Sequence, residues 1–458
     1  MRDRIVAFAA ATLLLGSCAA APARQNPELE NRLSLWMRRD MPSGSAHGIM
    51  RQLAIPGRLS GSPEATEAVR RSKKLMLELG FANVRLEPVK VPVWVRKSES
   101  AKIVINGAPP EELRIAALGG SAATPPGGIQ GEIIEINSWD DVAALGERAK
   151  GKIIFYNRAM DPRSPEPFSA YGAAVDQRSR GGYEATKAGA IAAIVRSMTT
   201  RLDNNPHTGA MRAFMDDQIT PVVPTAAVST LGAERLHSLL KSGRGPVQLQ
   251  LTLDCGFREE ADSHNVVGEI VGYERPEEIV LIGGHLDAWD LGDGAHDDAA
   301  GCAHTIEALR LIKSAGIRPK RTIRAVMFMN EENGLRGGRA YAEAHANEKH
   351  FFAIESDRGG FDPRGFACVP VEPFFSKLGE IVKLLEPLGC GKLQKGGGGA
   401  DLSVLQKNGV VCAELIPDAR YYFDYHHSAL DTIDAVDPDA LQRGAIALAF
   451  VISAVADM

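Results

Sequence analysis

The sequence predicts an α/β fold in which a mainly parallel, mixed central sheet is flanked by helices on both faces and carries a smaller inserted α/β domain. After residue 255, short apolar runs alternate with segments of helical periodicity, which is typical of a parallel sheet covered by helices. Residues 119–254 differ in character, and the turn-rich stretch GGSAATPPGG at residues 119–128 marks their start. Several later strands end in acidic and histidine residues, at the sheet edge where α/β proteins place their sites.

The first residues are typical of an export signal. Arg2 and Arg4 precede an apolar run over residues 5–16, and Cys18 follows in LLGSC. This pattern predicts a lipoprotein-type signal peptide at residues 1–17 with Cys18 as the lipidated first mature residue. The alternative is an ordinary signal cleaved among the nearby alanines. We therefore expect export, either lipid-anchored in a bacterial cell envelope facing the periplasm or secreted.

Length and composition describe a protein with room for a large core. The chain has 458 residues, of which 45% are hydrophobic and 24% charged, and its net charge is −5. We expect about two domains, and the mild acidity argues against a nucleic-acid partner. The cysteines beyond Cys18 are odd in number and scattered over the second half. They do not suggest a disulfide framework, although a single bridge remains an alternative.

Residues 26–118 are predicted to form the first part of the larger, catalytic domain. In GRLSGSPEATEAVRRSKKLMLELGF, a helix should begin with Ser62 as its N-cap and end at Gly80. The next stretch, VRLEPVKVPVWV, alternates as a strand does. Its prolines, Pro88 and Pro92, favour the edge of a sheet because proline cannot donate to a neighbouring strand.

The inserted segment, residues 119–254, contains strand-like runs and a helix in RGGYEATKAGAIAAIVRS. It has no cluster of metal-ligand residue types. His207 and His237 are isolated in the sequence, and we expect both at the surface. Two roles remain open for the insert: a lid that selects substrates, or a spacer or dimer-contact module.

The densest group of candidate functional residues follows the apolar run at residues 279–282, which is too short for a helix and predicts a buried strand. His285 and Asp287 are two residues apart, so at a strand end their side chains point to the same face. Asp297 and Asp298 then precede a segment of helical periodicity. Taken alone, Asp298 would also be an ordinary helix N-cap.

Further candidates follow three later predicted strands. Because carboxyl ends of parallel strands meet at one sheet edge, we expect these residues to converge with the first group. Histidine and carboxylate ligands without cysteine suit zinc or a similar divalent ion. In chain order the later candidates are Glu331 with Glu332, then Asp357, then His426 and His427 with Asp431.

The order of these motifs carries a family resemblance. HLD, DD opening a helix, NEE, SD, and YHHS followed by DT resemble the co-catalytic dizinc exopeptidases, which include bacterial aminopeptidases, glutamate carboxypeptidase and carboxypeptidase Q. The HHS…DT ending and the insert make the carboxypeptidase Q-like dipeptidases the most similar branch. The insert itself resembles a protease-associated domain.

The resemblance implies two Zn²⁺ ions per chain, a sheet of the zinc exopeptidase type, a cis peptide bond between Asp297 and Asp298, and a homodimer. The chemistry is consistent, because two metals can polarise a scissile carbonyl and lower the pKa of a shared water. An uncoordinated carboxylate beside that water can take its proton. The implied roles are His285 and Asp357 for one metal, Glu332 and His427 for the other, Asp297 as the bridge, Glu331 as the general base, and Asp287 as the carboxylate behind His285.

Three weaker candidates lie near these motifs. His426 would stabilise the oxyanion, or only pack and hydrogen-bond. Arg358 would hold a peptide carboxylate or form a structural salt bridge. Asp401 matches an aspartate that lines the substrate cleft in related peptidases, and the glycines at residues 396–399 would let the peptide backbone approach closely. A phosphate loop is disfavoured there, because no Gly-Lys-Ser/Thr follows.

The expected function is zinc-dependent hydrolysis of dipeptides or short peptides. The near alternative is an aminopeptidase that trims longer peptides, because the same ligand set serves both. A remote alternative is a non-catalytic binding protein of this fold, such as the transferrin receptor, but here every ligand position is filled. The chain contains neither a G-x-S-x-G elbow nor an H-E-x-x-H motif.

The catalytic domain is expected to resume at residues 255–458. Its last helix, residues 438–456, is apolar but has a short uncharged run. We therefore expect a packing helix rather than a membrane span.

Overall fold

Two eight-stranded mixed sheets organise the part of the chain that the computed structural model describes, residues 27–212, 222–243 and 245–458. The predicted signal peptide and Cys18 lie outside these residues. The predicted fold class, a mixed α/β sheet flanked by helices, is confirmed.

The strands and helices follow the periodicity of the apolar residues. In chain order the strands are β1 (Ala82–Val91), β2 (Trp94–Val104), β3 (Glu111–Leu113), β4 (Ile115–Ala117), β5 (Ile129–Ile136), β6 (Ile153–Tyr156), β7 (Ala192–Arg196), β8 (Thr225–Val228), β9 (Gln248–Phe257), β10 (Ala261–Ile270), β11 (Arg275–His285), β12 (Arg321–Phe328), β13 (Lys349–Glu355), β14 (Pro363–Cys368), β15 (Lys392–Lys395) and β16 (Cys412–Pro417). The described α-helices are Pro27–Arg39, Ser45–Leu53, Pro63–Glu78, Trp139–Leu145, Pro167–Gly172, Asp176–Lys187, Thr230–Lys241, Ala300–Ser314, Arg336–Ala344, Phe374–Lys383, Ser403–Lys407, Tyr422–Tyr425 and Pro438–Ala456.

The first sheet has the order β1-β10-β12-β11-β13-β16-β14-β15. Its central strands β12, β11, β13 and β16 run parallel, and every residue of β12 is buried. Burial on both faces explains why these strands are continuous apolar runs rather than alternating ones. The strand predicted at residues 279–282 is confirmed as part of β11, and the three later strands predicted before the other candidates are confirmed as β12, β13 and β16.

The helix-capping residues and the prolines predicted between residues 62 and 92 lie where they were expected. Ser62 caps the helix Pro63–Glu78, because its hydroxyl oxygen accepts the Ala65 N–H at 3.0 Å. Gly80 follows the helix in the left-handed region, at φ 70°, which glycine adopts without strain. Pro88 lies in β1, the edge strand of the first sheet. Pro92 stands between β1 and β2, where the chain leaves one sheet for the other.

The second sheet, with the order β3-β2-β9-β5-β6-β7-β8-β4, begins earlier than the insert expected from composition. Strands β2, β3 and β4 precede residue 119 but belong to this sheet, because β2 pairs with β9 from Trp94↔Phe257 to Val104↔Gln248. The Gly- and Pro-rich residues 119–128 connect β4 to β5 and do not separate domains. We call residues 94–257 the second unit.

A loop after β11 joins the two units. Trp289 is 3% exposed and packs within the hydrophobic core of the second unit, edge-on to Trp94. A Cβ on Gly119 would overlap the Trp289 ring, so the glycine permits this close approach. Beside it, Arg96 of β2 forms a two-pronged ion pair with Asp290, with both N–O distances at 3.0 Å. Apolar and charged contacts together fix the second unit against the site loop.

The last helix, Pro438–Ala456, packs against the helix Ala300–Ser314. It is long and apolar enough to cross a membrane, but 89% of its most apolar window is buried inside the protein. This burial is that of a core helix, as predicted. The described cysteines, residues 255, 302, 368, 390 and 412, are all buried and free. No disulfide forms among them.

Candidate metal centre and its cleft

The carboxyl ends of the central strands bring the five predicted metal ligands together. His285 Nε2 lies 3.2 Å from Asp297 Oδ1 and 3.3 Å from Asp357 Oδ1. His427 Nε2 lies 3.2 Å from Asp297 Oδ2 and 2.9 Å from Glu332 Oε2. Each oxygen of Asp297 therefore faces a different histidine. This is the arrangement that a bridging carboxylate between two cations requires.

The donor atoms of this cluster fit divalent cations. Asp297 Oδ2, Glu332 Oε1 and Asp357 Oδ1 are buried and lack a hydrogen-bond donor among the described residues. Three atoms, one each from His285, Asp297 and Glu332, all lie within 4.8 Å of one another. A buried carboxylate without donors is costly unless it is paired or binds a metal. Imidazole nitrogen and carboxylate oxygen are the ligand types of catalytic zinc sites.

Burial and close charges shift the pKa values of the clustered side chains. Burial raises the pKa of Glu331 well above its usual range, with His285 opposing the rise and neighbouring carboxylates adding to it. Burial also raises the pKa values of Glu332 and Asp357. Burial acts to lower the pKa of His285, but the negative charge of Asp357, together with the close carboxylate of Asp297, outweighs it and raises this pKa well above normal. A bound divalent cation would offset the negative charge of these crowded carboxylates.

The loop that carries Asp297 is held from two sides. The bond between Asp297 and Asp298 is cis, as the resemblance implied. Asp431 accepts the N–H groups of His296 at 2.7 Å and Asp297 at 3.1 Å. Asp298 accepts the N–H groups of His285 at 3.1 Å and Gly301 at 2.9 Å. Its carboxylate thus orients the loop and holds the first turn of the following helix, although the N-cap residue itself is Ala299 rather than Asp298.

Asp287 contacts His285 differently from the expectation. The backbone carbonyl of Asp287 lies 3.0 Å from His285 Nδ1, whereas its carboxylate is 3.9 Å away. The carbonyl can only accept, so Nδ1 carries the proton and Nε2 is free to bind a metal. The carboxylate instead accepts the N–H groups of Asn330 at 2.7 Å and Glu331 at 3.1 Å, and the Ser60 hydroxyl at 2.7 Å. Asp287 therefore positions the backbone of Glu331.

The second unit braces the histidine pair. His207, expected at the surface, is 1% exposed, and its Nδ1 donates to the His426 carbonyl at 2.7 Å. The Thr208 N–H donates to the His427 carbonyl at 2.9 Å, and the Thr208 carbonyl lies 3.3 Å from His427 Nδ1. The expectation for His207 was wrong because its burial comes from a contact between units. His237, by contrast, is partly exposed and pairs with Glu135.

A cavity of about 280 Å³ lies against the carboxylates and is walled by both units. Glu331 and every ligand candidate except His285 line one side. Phe168, Tyr171 and Arg178 of the second unit line the other. The second unit therefore covers the site, as the lid hypothesis requires.

The three weaker candidates differ in their contacts. His426 stacks on His427 with ring centroids 3.5 Å apart, and burial followed by the charge of His427 lowers its pKa well below normal. Arg358 donates to both oxygens of Glu414, at 2.7 and 2.8 Å, which is the structural salt bridge considered for it. Asp401 is 1% exposed and does not line the 280 Å³ cavity.

Sequence reasoning missed Arg178. It belongs to the helix Asp176–Lys187 and is 8% exposed, on the face that also buries Gly181, Gly182 and Ala185. Spacings of three, four and seven residues place these positions on one stripe. A single arginine on an otherwise small, apolar stripe was the available signal, since buried arginines are rare unless paired.

Comparisons with known proteins agree with this geometry. The model described as Peptidase family M28 matches residues 265–452. Carboxypeptidase Q of Bos taurus is 37% identical over 403 residues, which cover 88% of this chain and 82% of that protein. The crystal structure of a Peptidase M28 precursor from Shewanella amazonensis SB2B is 35% identical, with a TM-score of 0.88, and the match covers 94% of this chain and 97% of that one.

A more distant structure shares the fold alone. The aminopeptidase from Aneurinibacillus sp. strain AM-1 is 20% identical, with a TM-score of 0.64, over 92% of this chain and 95% of that chain. The bovine and Shewanella proteins are thus similar over both sheets, and the likeness is not confined to the strands that carry the histidines.

Proposed function

The chain belongs to peptidase family M28, and from this membership we propose that it is a zinc-dependent exopeptidase that cleaves dipeptides or very short peptides. The candidate metal centre holds nitrogen and oxygen donors for two cations. When bound, two zinc ions would polarise the scissile carbonyl and acidify the attacking water. We assign them to His285 and Asp357 on one side, Glu332 and His427 on the other, and Asp297 between.

Glu331 is the general base in this proposal. It faces the cavity beside the ligand candidates, and its backbone N–H is held by Asp287 at 3.1 Å. The carboxylate would take a proton from the attacking water and deliver it to the leaving amine. Asp287 acts through Glu331 and through the tautomer of His285, so it is a positioning residue.

The observation that favours short substrates is the state of Arg178. Arg178 lines the cavity with its guanidinium carbon 5.5 Å from the centre of the Tyr171 ring, and no carboxylate forms an ion pair with it among the described residues. Its Nη1 lies 3.4 Å from His427 Nδ1, close to the centre. A buried unpaired charge is costly, and a free peptide carboxylate would pair with both prongs of the guanidinium. The carboxylate of a dipeptide would place the scissile bond beside Glu331.

The wall opposite Glu331 limits substrate length. Tyr171 stacks on Phe423 with centroids 4.6 Å apart, and Phe168 packs edge-on against Phe423 at 4.9 Å. This aromatic wall bounds the cavity of about 280 Å³, a volume that suits one amino-acid residue beyond the scissile bond. An aminopeptidase acting on longer peptides needs an open exit at this end.

We propose the remaining features on the resemblance and the sequence signals. The second unit is proposed to be a protease-associated domain that acts as the lid. Residues 1–17 are proposed to direct export, with Cys18 lipidated, and the active form is proposed to be a homodimer.

The test compares free dipeptides, N-blocked dipeptides, C-amidated dipeptides and aminoacyl p-nitroanilides, with zinc and after chelation. We expect free dipeptides to be preferred and chelation to abolish hydrolysis. Arg178→Gln should lower kcat/KM for free dipeptides by about 10- to 100-fold, because a charge-assisted pair is lost, and should leave C-amidated substrates unchanged.

The matched control is Arg180→Gln on the same helix, where exposed Arg180 pairs with partly buried Glu184; its kinetics should match those of the parent protein. Efficient cleavage of anilides and long peptides would identify an aminopeptidase instead. Absence of any metal-dependent turnover would favour a binding protein.

A further inference from the structure

A second cavity, of about 470 Å³, opens beside the metal centre. It shares Phe168 and Asp357 with the first cavity but extends to the opposite side, towards the glycine-rich residues 397–399. Arg178 stands on the side of His427, whereas this cavity begins at Asp357. A dipeptide whose carboxylate pairs with Arg178 would therefore direct its amino-terminal residue towards the second cavity.

The acceptor groups and the donor groups that line this cavity differ in how many hydrogen bonds they already form. Both oxygens of Glu414 accept from Arg358, and both oxygens of Glu355 accept backbone N–H groups, at 3.1 and 3.4 Å. The carboxylates of Glu414 and Glu355 are thus already paired, and the remaining carboxylate of the wall, Asp357, is a candidate metal ligand.

Its donors are free. The side chains of Ser403, Gln406 and Lys407 line the cavity, and no side-chain hydrogen bond or ion pair occupies them within the described chain. Gln406 and Lys407 are exposed, so they stand at the mouth. A bound group that reaches them gains most if it accepts hydrogen bonds or carries negative charge.

We propose that this cavity binds the side chain of the substrate's amino-terminal residue and selects long side chains that end in an acceptor, glutamine or glutamate. The proposal rests on the proposed exopeptidase function and adds the residue preference to it. Lys407 would meet the end of the side chain, and the lack of a side chain at Gly397 would keep the cavity open.

Gly397 differs from its neighbours in what a side chain would meet. A Cβ on Gly398 would overlap Cys412, and a Cβ on Gly399 would overlap the Glu355 carboxylate at a φ of +86°. Those two glycines are required by packing. A Cβ on Gly397 meets nothing within 4 Å. A larger residue there would fill the cavity without disturbing the protein.

The experiment measures kcat/KM for X-Gly dipeptides in which X is Ala, Leu, Lys, Gln or Glu, with the zinc-loaded protein. We expect kcat/KM for Gln-Gly and Glu-Gly to exceed that for Lys-Gly by about tenfold or more. Gly397→Leu should lower kcat/KM for Gln-Gly and Glu-Gly by about tenfold or more. The value for Ala-Gly should stay within a factor of about two. The control is Gly48→Leu, at an exposed helix position with equally open space. It should leave kcat/KM unchanged for all five dipeptides.

The charge of the mouth is tested separately. Lys407→Glu should reverse the preference between Glu-Gly and Lys-Gly, whereas Lys383→Glu, on the exposed end of another helix, should not. Equal losses for all five dipeptides in Gly397→Leu, or an unchanged ratio in Lys407→Glu, would overturn the inference while the exopeptidase function stands. Failure of the parent protein to cleave any dipeptide would overturn both.

Discussion

The two units of this protein contribute to one site in different ways. The first sheet supplies every candidate metal ligand, each near the carboxyl end of a strand. The described part of the second unit supplies none of them. It provides a wall, through Phe168, Tyr171 and Arg178, and a brace, through His207 and Thr208. Chemistry and selection are thus divided between units, and three substitutions can break or sharpen this division.

Glu331→Gln should have the largest effect, because it removes the proton acceptor of the first unit and preserves shape. We expect kcat for a free dipeptide to fall by about 10²- to 10⁴-fold, with zinc content and melting temperature unchanged. Steady-state hydrolysis with metal analysis measures this. Glu343→Gln, exposed on the helix Arg336–Ala344, is the control. Turnover close to that of the parent protein would place the base elsewhere.

Trp289→Ala should have the next largest effect, because it removes the ring that packs the loop after β11 into the second unit. The lost ring is buried in the core of the second unit, so the free energy of unfolding should fall by about 3–5 kcal/mol. The comparison is Trp139→Ala, which removes a ring that packs at a tilt against Tyr156 within the second unit. Denaturant titration measures both variants. We expect only Trp289→Ala to weaken zinc binding also; equal zinc affinity in the two variants would show that the joint does not support the site.

Asp431→Asn should have the smallest effect of the three. It weakens the hold on the N–H groups of His296 and Asp297 without removing a ligand. We expect zinc affinity to fall by about 10- to 100-fold, with little change in unfolding free energy at saturating zinc. Competition with a chelator measures the affinity. Asp434→Asn, three residues away and exposed, should bind zinc as the parent protein does, and a parent-like Asp431→Asn would leave the loop supported by Asp298 alone.

The sequence predicted the first unit well because its information is local. His285, Asp297, Glu332, Asp357 and His427 each follow an apolar strand or open a helix, and parallel strands place such residues at a common edge. Periodicity therefore led directly to their convergence. The cap at the start of the helix Pro63–Glu78 and the buried last helix are equally local, since each depends on residues within a few turns.

The rest depended on contacts between distant segments. Pairing of β2 with β9 decided the start of the second unit, and the composition around residue 119 carried no trace of it. Burial of His207 and the position of Arg178 arise only when the second unit closes on the first. The contact from Asp287 came through its carbonyl, a backbone group that a residue pattern does not reveal.

The brace at Thr208 also bears on how such proteins can be recombined. Exchanging lids between family members is an obvious route to new specificities, and the strand junctions at β2 and β9 are natural splice points. Thr208 contacts the His427 carbonyl through its N–H and the His427 ring through its carbonyl. A chimera with a lid from another protein would therefore change the groups that support the host's His427. Successful chimeras should keep the host's residues 207–209 and vary only the aromatic wall and the helix that carries Arg178.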